Sequence, residues 1–228
     1  MASPQKTNPP PKRSSLPKKK GQHKKPTREK ILEAATEVFA DYPYHGASIR
    51  MIGKTAGIDH PLINYYFPTK AALFEEVLKI STEKYYIANI SWFDGLTKLG
   101  PEKGLALYID RFLDFAQRHP KVQRIITLNL VPAEQSDIIP GYQLIQNFFE
   151  KTTLTFTKAI PLKGSKHNIE MLITSFNTLA VNYLGARTYY AGILGMDPAS
   201  RQYMDWVKDS LIYMILPRLR QLLGEAVL

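Results

Sequence analysis

The sequence predicts an all-α protein of about nine helices, with an N-terminal three-helix domain and a larger C-terminal helical domain. Two observations support this fold class. Apolar residues recur at helical spacing along most of the chain after residue 26, and no segment shows the strict alternation typical of a strand. Apolar residues make up 44% of the chain, which is enough to build a core.

Composition also excludes several classes of protein. The chain has no Cys, so disulfide frameworks, thiolate metal sites and cysteine nucleophiles are excluded. The five His residues are scattered, and no catalytic or phosphate-binding motif is present. We therefore expect no enzyme activity, no catalytic residue, no metal site and no cofactor. Without a long apolar run or a signal sequence, a cytoplasmic protein with no membrane contact is expected.

Residues 1–26 form a basic tail. They hold eight of the 30 Lys and Arg residues, no acid and six of the 16 prolines. Such a segment cannot bury enough apolar surface to fold, so we expect it to be disordered. It is either an arm that binds DNA phosphates or a solvated extension with no specific role.

Residues 27–78 form the predicted N-terminal domain. Thr27 is the expected N-cap of a first helix that ends near Asp41. Two short helices follow: Ser48 and Asp59 are the expected N-caps, and Gly57 is the expected corner between them. A pair of short helices joined by a tight glycine corner is typical of a helix-turn-helix, whose second helix enters the major groove of DNA.

Residues 28–77 resemble the DNA-binding domain of the TetR family of bacterial transcriptional repressors. The matching positions are Arg28, Ile31, Leu32, Ala34, Ala35, Phe39, Gly46, Ser48, Ile49, Ile52, Ala56, Gly57, Ile58, Leu62, Ile63, Tyr65, Tyr66, Phe67, Lys70, Leu73 and Val77. They cover about fifty residues, and their agreement at fixed spacing makes the resemblance specific.

The expected DNA contacts lie on the second helix of the motif and beside it. Exposed side chains there can read base edges, and flanking groups can hold phosphates. The predicted contact residues are Arg50, His60, Pro61, Asn64, Tyr65, Tyr66, Thr69 and Lys70.

The resemblance implies similar roles at Arg50, His60, Pro61, Asn64, Tyr65 and Lys70. Many family members carry Tyr in place of Asn64 and His in place of Tyr66. These differences leave the individual base contacts undetermined, whereas the resemblance still implies that the second helix docks in the major groove. Alternatively, Tyr66 belongs to the core, and His60 and Lys70 are ordinary surface residues.

Residues 79–228 form the predicted C-terminal domain. A long helix from Thr69 to about Trp92 enters it, and further helices are expected over about 101–119, 121–131, 138 or 140 to 159, 165 or 168 to 192, and from 198 onward. Small and large residues alternate along the last two helices. The resemblance implies that these helices pair with those of a second copy in a four-helix bundle; alternatively, they pack only within their own chain.

The resemblance also implies a pocket for an effector among the middle helices. Aromatic and amide side chains there could line it, although aromatic residues at helical spacing usually belong to a core. The predicted pocket residues are Phe112, Phe115, Asn147, Phe148, Phe176, Asn177 and Tyr183. The identity of the small molecule is not predicted.

The favoured interpretation is a sequence-specific transcriptional regulator, typically a ligand-responsive repressor that binds an inverted-repeat operator in double-stranded DNA as a homodimer. One alternative is a non-specific architectural DNA-binding protein that depends on the tail alone. An all-α enzyme is the least favoured alternative.

Overall fold

The computed structural model describes residues 26–130 and 139–225, and over these residues the chain is helical with no strand. The all-α prediction is therefore confirmed. The helices are α1 (Thr27–Asp41), α2 (Ile49–Ala56), α3 (His60–Tyr66), α4 (Lys70–Trp92), α5 (Pro101–Arg118), α6 (Pro120–Leu130), α7 (Tyr142–Ala159), α8 (Lys166–Gly185), α9 (Arg187–Ile193) and α10 (Arg201–Leu223). A short 3-10 helix, Leu96–Lys98, precedes α5. None of these described helices is long and apolar enough to span a bilayer.

Helices α2 and α3 form the predicted helix-turn-helix. The Ser48 hydroxyl caps α2 by accepting a hydrogen bond from the backbone N–H of Met51 (3.2 Å), and Gly57 ends α2 in the left-handed region at φ 64°. Gly53 allows the tight corner, because a β-carbon there would lie 2.8 Å from the carbonyl oxygen of Ile58. The backbone of this chain thus fixes the angle between α2 and α3 locally.

The core consists of two hydrophobic clusters that divide within α4. The first cluster contains the inner faces of α1, α2 and α3 together with Leu73, Phe74, Val77 and Leu78 of α4. The second contains the later part of α4 and residues from α5, α7, α8, α9 and α10. One continuous helix therefore contributes to both cores.

Helix α6 is a second link between the N-terminal helices and the rest of the chain. It packs against both α1 and α8. The Arg124 guanidinium donates to the carbonyl of Ala40 at the end of α1 (3.1 Å) and to the carbonyl of Gly185 at the end of α8 (3.4 Å). Asn129 of α6 is buried, and its Oδ1 accepts a hydrogen bond from the backbone N–H of Tyr44 (2.6 Å).

Several helix boundaries differ from the expectations. Helix α10 begins at Arg201, with Ser200 at its N-cap position, and not at residue 198. Pro26, not Thr27, occupies the N-cap position of α1. The helix expected to run to residue 192 is two helices, because α8 ends at Gly185 and a new turn begins at Arg187; ten α-helices are thus described instead of about nine. Helix α7 begins at Tyr142, since Gly141 before it has a positive φ of 74°.

Two further expectations concern caps and the tail. Asp59 occupies the N-cap position of α3, but its side chain makes no capping hydrogen bond. The basic tail lies outside the described residues except for Pro26. Its expected disorder and DNA contact therefore stay predictions.

Substitution of Gly185 should separate α6 from α8. A β-carbon at this position would overlap the Thr127 hydroxyl and lie 2.7 Å from its Cβ, so the two helices must move apart. We expect Gly185→Ala to lower the free energy of unfolding by about 1 to 3 kcal/mol in urea titrations. The control is Gly192→Ala in α9, where a β-carbon meets nothing within 4 Å. Equal stability of both variants would contradict this packing.

Candidate nucleic-acid interface and ligand cavity

Helix α3 separates a buried face from an exposed one. Ile63 and the following Phe67 are buried in the N-terminal core. The predicted DNA-contact residues of α3 are all exposed, namely His60, Pro61, Asn64, Tyr65 and Tyr66. Tyr65 is 80% exposed and Tyr66 is 37% exposed, so the larger part of this aromatic surface has no partner within the described chain. The helix presents hydrogen-bonding groups and carries no acidic residue.

Two contacts order the surface around α3. The side chains of Asn64 and His60, one helical turn apart, approach to 3.5 Å. The rings of Tyr65 and Tyr66 pack edge to face with centroids 5.2 Å apart. These contacts lower the conformational freedom of the side chains before any partner binds, which reduces the entropic cost of recognition.

Arg50 and Thr69 flank α3 on neighbouring helices. Arg50 is exposed in the first turn of α2 and makes no side-chain hydrogen bond or ion pair with the described residues. The Thr69 hydroxyl caps α4 by accepting from the N–H of Ala72 (3.0 Å), while its own proton is available to a further acceptor. Both residues are thus placed where a phosphate backbone beside α3 could reach them.

Lys70 has a structural role that the sequence did not indicate. Its ammonium donates to the carbonyls of Tyr44 (2.8 Å) and Ala47 (2.9 Å) and lies 4.3 Å from the centroid of the Tyr44 ring. Partial burial lowers the pKa of Lys70 from its ordinary value. Two of its three N–H groups therefore hold the loop before α2 against α4, and one is left for a phosphate.

A cavity of about 350 Å³ lies in the second core, a size typical of small-molecule sites. Its walls come from α4, α5, α7, α8, α10 and the 3-10 helix. Most of the lining is apolar, and the main apolar residues are Leu105, Phe156, Leu172, Ile173, Phe176, Ile215 and Leu219. The cavity thus lies between the helix that enters the N-terminal core and the helices at the C-terminal end of the chain.

The polar groups in the cavity wall are few and uncharged, with one exception. Asn89 of α4 is 2% exposed, and its Nδ2 donates to the Tyr108 hydroxyl of α5 (3.0 Å). The Asn89 Oδ1 atom is buried without a hydrogen-bond partner among the described residues. Burial raises the pKa of Tyr108, so the phenol stays neutral. Glu225, an exposed residue, is the one charged group among the described lining residues.

The structure places only two of the predicted pocket residues, Phe176 and Asn177, in the cavity wall. Phe112, Phe115 and Phe148 are instead buried around Tyr85, with ring centroids 4.9 to 6.4 Å from it. Their rings pack between α4, α5 and α7, and none of the three is in the cavity wall.

The other two predicted pocket residues also lie elsewhere. Asn147 is exposed on α7 and accepts from the side chain of Gln143 (3.3 Å). The Tyr183 ring packs against Trp206 and Tyr190. Both therefore lie away from the cavity, on the outer side of α7 and at the contact of α8 with α9 and α10.

Asn89 and Tyr108, the polar pair in the cavity wall, are not among the pocket residues that the sequence predicts. A signal for Asn89 was available, since it shares the inner face of α4 with Tyr85 and Trp92, four residues before and three after. An amide on an apolar stripe is either a buried structural group or a binding group.

The N-terminal helices match a known family. Residues 31–77 match the sequence profile described as "Bacterial regulatory proteins, tetR family". The HTH-type transcriptional regulator RutR of Escherichia coli is 26% identical over 104 residues, which are 46% of this chain and 48% of RutR. The HTH-type transcriptional repressor NicS of Pseudomonas putida is 30% identical over 103 residues, 44% of this chain and 46% of NicS. The chain thus spans about half the length of these relatives.

The fold of the whole chain also has solved counterparts. The regulator FadR from Bacillus subtilis, solved in complex with stearoyl-CoA, has a TM-score of 0.62 at 14% sequence identity. The aligned region covers 83% of this chain and 97% of the FadR chain. A tetR-family regulator from Shewanella has a TM-score of 0.60 at 16% identity, and the aligned region covers 84% of this chain and 97% of the Shewanella chain. At such identities the likeness shows the fold alone, an N-terminal helix-turn-helix domain followed by a helical domain.

Substitution of Lys70 should destabilise the protein even without DNA. Lys70→Ala removes two hydrogen bonds from a charged donor to the carbonyls of the loop before α2. We expect the free energy of unfolding to fall by about 1 to 2 kcal/mol in urea titrations. Arg50→Ala serves as the matched control and should change it by less than about 0.5 kcal/mol. A Lys70→Ala variant as stable as the native protein would show that these bonds contribute nothing.

Proposed function

We propose that this chain, a TetR-family protein by its N-terminal domain and its fold, is a sequence-specific DNA-binding transcriptional regulator. The observation that carries the proposal is α3, which is buried on one side and offers exposed His60, Asn64 and Tyr65 on the other. These side chains suit base edges in the major groove: Asn pairs bidentately with adenine, and His can donate or accept. Pro61 offers an apolar contact to a thymine methyl group.

The phosphate contacts we propose surround this helix. Arg50 is unpaired among the described residues, the Thr69 hydroxyl and the first amides of α4 face an anion favourably, and Lys70 keeps one N–H free. Tyr66 can reach a phosphate through its hydroxyl. Such contacts fix the orientation of the protein on DNA, and the base contacts of α3 select the sequence.

The proposed assembly is a homodimer through the C-terminal helices. Large apolar side chains are exposed on α8, α9 and α10, namely Met171, Tyr189, Ile193, Tyr213 and Met214. Each is more than 50% exposed, and Tyr213 is 80% exposed, so the described chain leaves most of their surface uncovered. A second copy would cover them and place two α3 helices on half-sites about one helical turn apart.

The proposed mode of regulation is repression that an effector relieves. The effector occupies the cavity and prefers an arrangement of the dimer in which the two α3 helices no longer match the operator spacing. It thereby shifts the population away from the DNA-bound state. The contacts of α4 and α6 with both cores support this coupling. By linkage, effector and DNA must weaken each other equally.

The proposed function predicts an operator and the residues that read it. Selection of bound fragments from genomic DNA should enrich an inverted repeat with the native protein. The Arg50→Ala/Tyr65→Ala variant should lose this enrichment, because it lacks two of the proposed DNA contacts. Both side chains are exposed, so their removal leaves the core intact. Lys166→Ala, at a side chain that is 89% exposed on α8, should keep it. Equal enrichment by native and double-variant protein would contradict the role of the helix-turn-helix.

A shortened chain in the same selection separates the proposal from the architectural alternative. Removal of residues 1–25 takes away all eight tail charges and keeps Pro26, whose carbonyl accepts the N–H of Lys30 in α1. A specific regulator should keep its motif and lose affinity. The slope of log K against log salt should fall by at most roughly 7 units per chain, the value for full phosphate contact of all its tail charges. Loss of all binding would favour the architectural alternative.

A further inference from the structure

We propose that the cavity binds an uncharged, largely apolar molecule through a hydroxyl group held between Asn89 and Tyr108. The inference rests on the proposed function in one respect, namely that the cavity holds an effector. It deepens that function by assigning the chemical class of the ligand. The polar pair, the apolar wall and the distribution of charge each limit what the cavity can hold.

The Asn89 amide has one more polar atom than the described chain satisfies. Its side chain is 98% buried and lines the cavity, Nδ2 donates to the Tyr108 oxygen at 3.0 Å, and Oδ1 has no partner among the described residues. In the opposite orientation of the amide, Oδ1 would accept from the Tyr108 hydroxyl and the Nδ2 donor would be left without a partner, so one polar atom is unsatisfied in either case. A buried polar atom without a partner costs free energy, so a ligand that reaches it gains affinity.

A hydroxyl group fits this pair because it donates and accepts at once. It can donate its proton to Asn89 Oδ1. It can also accept the proton of the Tyr108 hydroxyl, whose oxygen already accepts from Asn89 and whose proton has no acceptor among the described residues. With Oδ1 as the unpaired atom, an ammonium group has no acceptor for the Tyr108 proton, and an ionised carboxylate has no donor for Asn89 Oδ1. The pair therefore selects a neutral group with both functions.

The charges around the cavity favour the same class. The described lining residues include no Lys, Arg or His, and Glu225 is their one charged member. A buried carboxylate or phosphate would lack a counter-charge and would be repelled by Glu225. Phe156, Phe176 and the aliphatic residues around them leave the rest of the ligand in apolar surroundings. An acidic ligand is thus disfavoured throughout the cavity.

Three probes that share one apolar chain test the ligand class. Titration calorimetry of full-length protein without DNA compares n-decanol, decanoate and decylammonium. We expect n-decanol to bind at least about tenfold more tightly than either charged probe. Equal or tighter binding of decanoate or decylammonium overturns the proposal, as does the absence of n-decanol binding.

Two variants test the assigned contact. Asn89→Leu keeps the approximate size of the side chain and removes its hydrogen bonds, and Tyr108→Phe removes only the hydroxyl. Each should weaken n-decanol binding by about tenfold. Asn147→Leu, at an exposed asparagine outside the cavity, should not. If Asn89→Leu does not fold, Tyr108→Phe decides alone. Unchanged n-decanol binding in the folded cavity variants overturns the contact.

Failure of this inference and failure of the proposed function are distinguishable. Calorimetry without DNA reports only on the cavity, and the genomic selection reports only on DNA. An enriched inverted repeat together with equal binding of all three probes overturns the ligand class and leaves the DNA-binding function. A preference for n-decanol in a protein that enriches no motif supports the ligand class and contradicts the DNA-binding function.

Discussion

The arrangement of this protein depends on one rigid helix that serves two cores. The first part of α4 buries Leu73 and Phe74 among α1, α2 and α3, and its later part buries Tyr85 and Trp92 in the second core. Asn89 on the cavity wall lies about 28 Å along the helix from Lys70, at 1.5 Å per residue. One helix, with no linker in between, therefore joins the cavity wall to the residues that support α3.

Helix α6 makes this arrangement stiffer by a second route. Arg124 connects the carbonyls that end α1 and α8, and Asn129 holds the loop before α2. Gly185 lets α8 approach so closely that a single β-carbon would not fit. With two separate connections, a pivot of the N-terminal helices about α4 would break the contacts of α6 with α1 or move α6 as well.

The sequence predicts those features that depend on local chemistry. The caps Ser48 and Thr69 and the corner at Gly57 follow from rules that hold within a single turn. The close approach at Gly185 and the carbonyl contacts of Lys70 join segments that the sequence does not place together. Helical spacing places Phe112 and Phe115 on the apolar face of α5, and both are buried. Whether that interior is filled or empty depends on the volumes of all facing helices. Periodicity therefore does not separate Phe112 and Phe115, which pack around Tyr85, from Phe176, which lines the cavity.

The most direct test of coupling between the two cores is a distance between the N-terminal domains of the proposed dimer. The chain has no Cys, so Lys30→Cys on the exposed face of α1 introduces a single site for a spin label. Pulsed electron resonance then measures the distance between the two labels, free and with the cavity saturated by n-decanol. We expect the distribution to shift when the cavity is filled. An identical distribution in protein that calorimetry shows to be saturated would contradict the coupling of the cavity to α3 through α4 and α6.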